Sequence, residues 1–122
     1  MGLNACSNKI SPSSHNGEII GDWKLIEVLM DPGDGSGEFE ISELEVIVSF
    51  NQQMEVKANG ILCGFGSQSI TPLTGVYSIS DSMIVSQCEG GELKHIFRMD
   101  KGNLIIQNRH CREACLAKLI KK

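Results

Sequence analysis

Aromatic residues are scarce in this 122-residue chain, with one Trp, one Tyr and four Phe making up 5% of it, so the core has to be assembled from Ile, Val, Leu and Met. Proline is scarcer still: three residues against thirteen glycines. Glycines spread between short apolar runs mark the turns of an all-β protein rather than a disordered tail. No run of about eighteen apolar residues occurs, which excludes a helical membrane span. Basic charge forms no stripe, the formal net charge is -4 and the isoelectric point is near 5.3. That balance argues against nucleic acid as a partner and gives no attraction to an anionic membrane face. Also missing are Gly-x-Ser-x-Gly, His-Glu-x-x-His and any phosphate-cradling loop. The carboxylates are scattered over strand exteriors and loops, so neither catalysis nor a cofactor is expected.

What remains is a length suited to one domain and a regular alternation of side chains. Gly21-Asp22-Trp23-Lys24-Leu25 opens the first strand with the only tryptophan, after Glu18-Ile19-Ile20, which reads as a turn packed over a barrel end. Asp31 to Gly37 is a loop. Its aspartates lack the alternate oxygen spacing of a calcium-binding loop, so a solvated turn is expected. Leu44, Val46, Val48 and Phe50 share one strand face, and after Asn51-Gln52 the residues Met54, Val56 and Ala58 share another. A polar loop runs to Pro72. Thr74–Ser80 and Ser82–Ser86 pair through Asp81, with Gly75 at a bulge or bend. Leu93–Met99 turns at Asp100-Lys101-Gly102-Asn103 and returns as Leu104–Gln107, and Cys115–Ile120 closes the chain. Eight short strands at even spacing predict an all-β fold, an eight-stranded antiparallel up-and-down barrel, in which the last strand pairs with the tryptophan strand and removes both edges.

Five cysteines divide as one plus four. Leu3-Asn4-Ala5-Cys6 resembles the lipobox of bacterial lipoproteins, which implies lipidation of Cys6 and reads Met1-Gly2 as an expression start in place of an export signal. The polar stretch Ser7–Gly17, including His15, then serves as a tether. Cys63, Cys88, Cys111 and Cys115 remain as an even set suited to an oxidising compartment, with three pairings open. The short spacing favours Cys111 with Cys115, and therefore Cys63 with Cys88. A zinc site built from His110, Cys111, Cys115 and the other two cysteines is the competing arrangement, disfavoured because neither Cys63 nor Cys88 belongs to a Cys-x-x-Cys pair.

Gly21-x-Trp23, the Asp31–Gly37 loop, Asn59-Gly60 before Cys63, Thr74-Gly75-Val76-Tyr77-Ser78, and Cys111 with Cys115 together resemble the lipocalin-like domain of small secreted lipoproteins in Bacteroidota. The resemblance covers Gly17 to Lys122 and implies a barrel domain at 18–122 behind a lipobox remnant and tether at 1–17. It implies export and attachment to the outer membrane, on its periplasmic or surface side, through an N-terminal lipid. Counting alternate residues from Trp23, the inward candidates for contact with a small apolar or amphipathic ligand are Trp23, Leu25, Val46, Val48, Met54, Val56, Tyr77, Met83, His95 and Phe97. Simple core packing is the competing role for all of them. For His95, on an otherwise apolar face, that means satisfaction by a hydroxyl or backbone group. The alternative to ligand binding is a non-enzymatic module with a filled barrel, whose loops at Asp31–Gly37 and Gly64–Pro72 bind an envelope protein or polysaccharide.

Overall fold

Alternating apolar and polar side chains bury one face of each strand, and that requirement shapes the whole chain. The computed structural model describes residues 19–30, 34–64, 68–109 and 115–122. Among them lie nine strands: β1 (Gly21–Met30), β2 (Glu40–Ile41), β3 (Ile47–Phe50), β4 (Glu55–Gly60), β5 (Gln68–Ser78), β6 (Met83–Cys88), β7 (Gly91–Asp100), β8 (Asn103–Asn108) and β9 (Cys115–Lys121). All neighbours are antiparallel. β1 pairs with β9 along most of its length, from Met30 opposite Cys115 to Trp23 opposite Lys121, and with β3 on its other side. That closure makes an eight-stranded up-and-down barrel from β1 and β3 to β9, as the strand spacing predicts, with β2 a short flap beside β3 on the edge of β1.

Gly21 adopts a φ of +129°, and a Cβ there would stand 2.9 Å from Lys121 Cε. The lysine tip can move aside, so it is the conformation that favours glycine at the head of β1. The register of β1 against β9 slips between Leu25 and Glu27. Inward residues therefore switch from Trp23 and Leu25 to Val28, which packs against the core, as expected when a bulge adds one residue to a strand. Gly75 marks a different constraint: a Cβ would sit 2.4 Å from the Val85 carbonyl oxygen, so β5 and β6 approach more closely than any side chain allows.

Three expectations change in detail. The stretch before Pro72 is strand rather than loop, since β5 begins at Gln68. Its pairing with β4 slips between Leu73 and Gln68, and this irregularity accommodates a proline that has no N–H to give a ladder. Met54 is not inward: it lies in the β3–β4 turn with a φ of +63° and is 39% exposed. Met83 is half-buried and pairs with the similarly half-buried Ile96, whereas Ile84 and Ser86 are the buried residues of β6. Alternation carried across the Ile79–Ser82 turn had placed Met83 on the wrong face.

Candidate functional site

The barrel interior contains eight of the ten predicted ligand positions: Trp23, Leu25, Val46, Val48, Val56, Tyr77, His95 and Phe97 are all buried. All but His95 belong to one continuous apolar core with Phe50, Ala58, Ile84, Leu104, Ile106, Ala117 and Leu119. Val46, Val48, Val56 and His95 expose no surface to solvent. In this state their role is to fill the barrel, and a small eight-stranded barrel is narrow enough to be filled in this way.

One end of the interior is aromatic. Trp23 is 1% exposed, and its indole N–H donates to the Ile19 carbonyl oxygen at 2.8 Å, so Ile19 covers the ring while satisfying its one polar atom. Phe50 and Tyr77 meet edge to face with centroids 5.0 Å apart, and Phe97 joins them at 6.3 and 6.5 Å. The Tyr77 hydroxyl donates to the Asn51 carbonyl oxygen at 2.6 Å. Burial pushes the Tyr77 phenol above its ordinary pKa, because the phenolate would lose its hydration. Asn51 Oδ1 accepts from the Gln53 and Glu55 amides, tying this ring cluster to the β3–β4 turn.

The opposite end is polar and covalently stapled. Cys63 and Cys88 form a disulfide that joins the segment after β4 to the end of β6. Both sulfurs are thereby removed from any zinc site. Cys115 is also disulfide-bonded; its expected partner, Cys111, lies outside the described residues, as do Cys6, His15 and His110. Inside the staple, His95 Nε2 lies 2.8 Å from the Leu62 carbonyl oxygen. A carbonyl only accepts, so Nε2 carries the hydrogen and donates it to the backbone. Ser86, which shares the inward row of β6 with Ile84, is fully buried and its hydroxyl has no hydrogen-bond partner among the described residues. Ser86, Ile61 and Leu62 were not among the sequence candidates. The parity of Ile84 with Ser86 was the only available signal for the first, and no local signal marked the other two.

Outside the barrel, the described hollows are shallow. One of about 320 Å³ runs along the β1–β2 flank, lined by Ile26, Ile41 and Leu44 between Lys24, Glu27 and Glu45. Ile41 beside it is 82% exposed and Met30 is exposed as well. The outer wall there is otherwise covered: Lys118 Nζ lies 3.0 Å from Glu27 and 4.4 Å from the centre of the Phe39 ring. In the loop before β2, Asp34 accepts from the backbone amide and hydroxyl of Ser36, and these bonds lower its pKa. Among the described residues, no three His, Cys, Asp or Glu side chains gather where they could hold a metal ion. Compared with known proteins, the chain matches no family model, no curated protein and no solved structure.

Proposed function

We propose that this chain is a non-enzymatic interaction module, exported and held at the outer membrane by a lipid on Cys6, whose outer flank and loops bind an envelope protein or polysaccharide. The observation that carries this reading is the filled interior. Eight of the ten residues expected to line a ligand cavity are buried in the barrel, and four of them expose no surface to solvent. Recognition then falls to the outside of a rigid scaffold, where loops commonly carry it. The Cys63–Cys88 disulfide is consistent with an extracytoplasmic location. On the flank, Ile41 exposes apolar surface in the hollow next to β2, the kind of anchor that protein partners bury.

The test starts with full-length protein crosslinked in its native envelope and recovered with its partner, beside native mass spectrometry of the purified chain. Ile41→Asp should abolish capture of that partner while shifting stability by no more than about 0.5 kcal/mol, as a surface substitution does. A small molecule that co-purifies in stoichiometric amount, with no protein or glycan captured, would replace this reading with ligand storage.

A further inference from the structure

Beyond Gly60 the chain turns inward over the barrel end. The Leu62 amide donates back to the Gly60 carbonyl oxygen at 2.8 Å, and Ile61 between them has a φ of +59°. This is a γ-turn of the positive-φ kind, rare and strained in any residue and more so in a β-branched one. The neighbouring Gly60 could adopt such a φ without strain, yet the chain places it on Ile61. Strain of this kind persists only where the surroundings hold it in place. Three contacts do so here. The side chains of Ile61 and Leu62 are buried, at 1% and 0% exposure. The Leu62 carbonyl accepts the hydrogen bond from His95 Nε2. Cys63 is tied to Cys88, whose Sγ lies 3.5 Å from that same carbonyl oxygen.

Cys88, Ser86 and Ile84 alternate along the inward row of β6, so Ser86 is the next inward residue below the staple. Its buried hydroxyl lacks a partner among the described residues, a cost a native interior seldom carries without reason. Its partner on β5 is Gly75, which adds no side chain, and on β7 it is Leu93. Strained turn, unpartnered hydroxyl and disulfide therefore meet at one end of the barrel.

We propose that residues Gly60 to Cys63 form a plug over a latent binding site, latched by the Cys63–Cys88 disulfide and released when a dithiol reductant breaks it. One thiolate of the reductant attacks a sulfur of the pair and forms a mixed disulfide, releasing the other cysteine as a thiolate that takes up a proton. The second thiol of the reductant then displaces the remaining cysteine. The reductant ends as a disulfide and Cys63 and Cys88 as thiols, a transfer of two electrons and two protons. Both cysteines are half-buried, which leaves the bond within reach of a thiol.

With the plug out, Ile61 loses the forced conformation and its place against the interior can be taken by an apolar body. His95 Nε2–H, freed from the Leu62 carbonyl, and the Ser86 hydroxyl then both donate to a ligand oxygen. The class of ligand is a small, neutral, mostly apolar molecule carrying one carbonyl oxygen.

The test uses the full chain with prodan, a neutral naphthalene ketone, as the probe, and amide hydrogen exchange as a second readout. Oxidised protein should bind prodan at least about tenfold more weakly than protein reduced by dithiothreitol. Cys63→Ser/Cys88→Ser should bind as the reduced chain does without reductant, which separates this staple from the disulfide at Cys115. Ser86→Ala in the reduced chain should weaken binding about fivefold, the worth of one hydrogen bond. On reduction, exchange at Leu62 should quicken while exchange at Trp23 holds, and this readout remains decisive if the double variant does not fold. Equal binding by oxidised and reduced protein, or Leu62 and Trp23 exchanging faster together, would overturn the proposal.

Discussion

The two ends of this barrel solve the same closure problem with different chemistry. At the turn end, Asn51–Met54, Ile79–Ser82 and Lys101-Gly102 join neighbouring strands directly, and the interior is sealed by Trp23 under Ile19 and by the Phe50, Tyr77 and Phe97 rings. Every polar atom named there has a partner, the indole on Ile19 and the phenol on Asn51. At the cystine end, the seal is a strained γ-turn held by a covalent bond, with a buried serine left unsatisfied beneath it. Large rings seal by burying area, which is stable but fixed. A cystine seals by a bond that chemistry can undo. Rigidity and responsiveness therefore lie at opposite ends of a barrel whose middle is uniformly packed.

Substitutions at each end test this contrast. Trp23→Ala removes the largest ring and its bond to Ile19, and should cost about 3–5 kcal/mol, read as a fall in the urea midpoint with the slope unchanged. Removing the Cys63–Cys88 bond should cost about 2–4 kcal/mol, since it frees a loop in the unfolded chain. If its loss costs clearly more than that of Trp23, the aromatic end is not the firmer anchor. Smallest is Tyr77→Phe, which deletes the bond to the Asn51 carbonyl for about 1 kcal/mol near neutral pH. It also carries a pH signature. Because burial raises the Tyr77 pKa above its ordinary value of 10.0, its contribution is complete below about pH 10 and is lost as pH climbs through the raised folded value. Wild-type stability measured in urea should therefore fall over that alkaline range, and the Phe variant should show a shallower fall.

Much of the wall was legible beforehand because half-buried strands alternate. Leu93 to Met99 is strand as period two predicts, the run from Leu44 is strand only from Ile47 to Phe50, and Val46, Val48, His95 and Phe97 are buried as that pattern requires. Alternation fails where backbone geometry inserts or reverses a step. Met54 was lost to a left-handed turn residue and Met83 to the turn before β6. Pro72 argued for a loop, yet an irregular register supplies a place where its missing N–H is not needed. The plug was invisible for a related reason: a positive φ on Ile61 beside an available glycine runs against local preference, and only long-range contacts can impose it.

From its residues alone this chain is committed to a closed barrel with a tryptophan at the head of β1. Gly21 has the conformation that a left-handed start demands, the apolar residues recur with the period of a strand, and the even cysteines can staple what the small core holds together. Which side chains face which end, that Ser86 lies unsatisfied and that Leu62 offers its carbonyl to His95 were settled only by tertiary structure. The last of these joins residues 33 positions apart, and a local pattern carries no information about which strands will meet across the barrel.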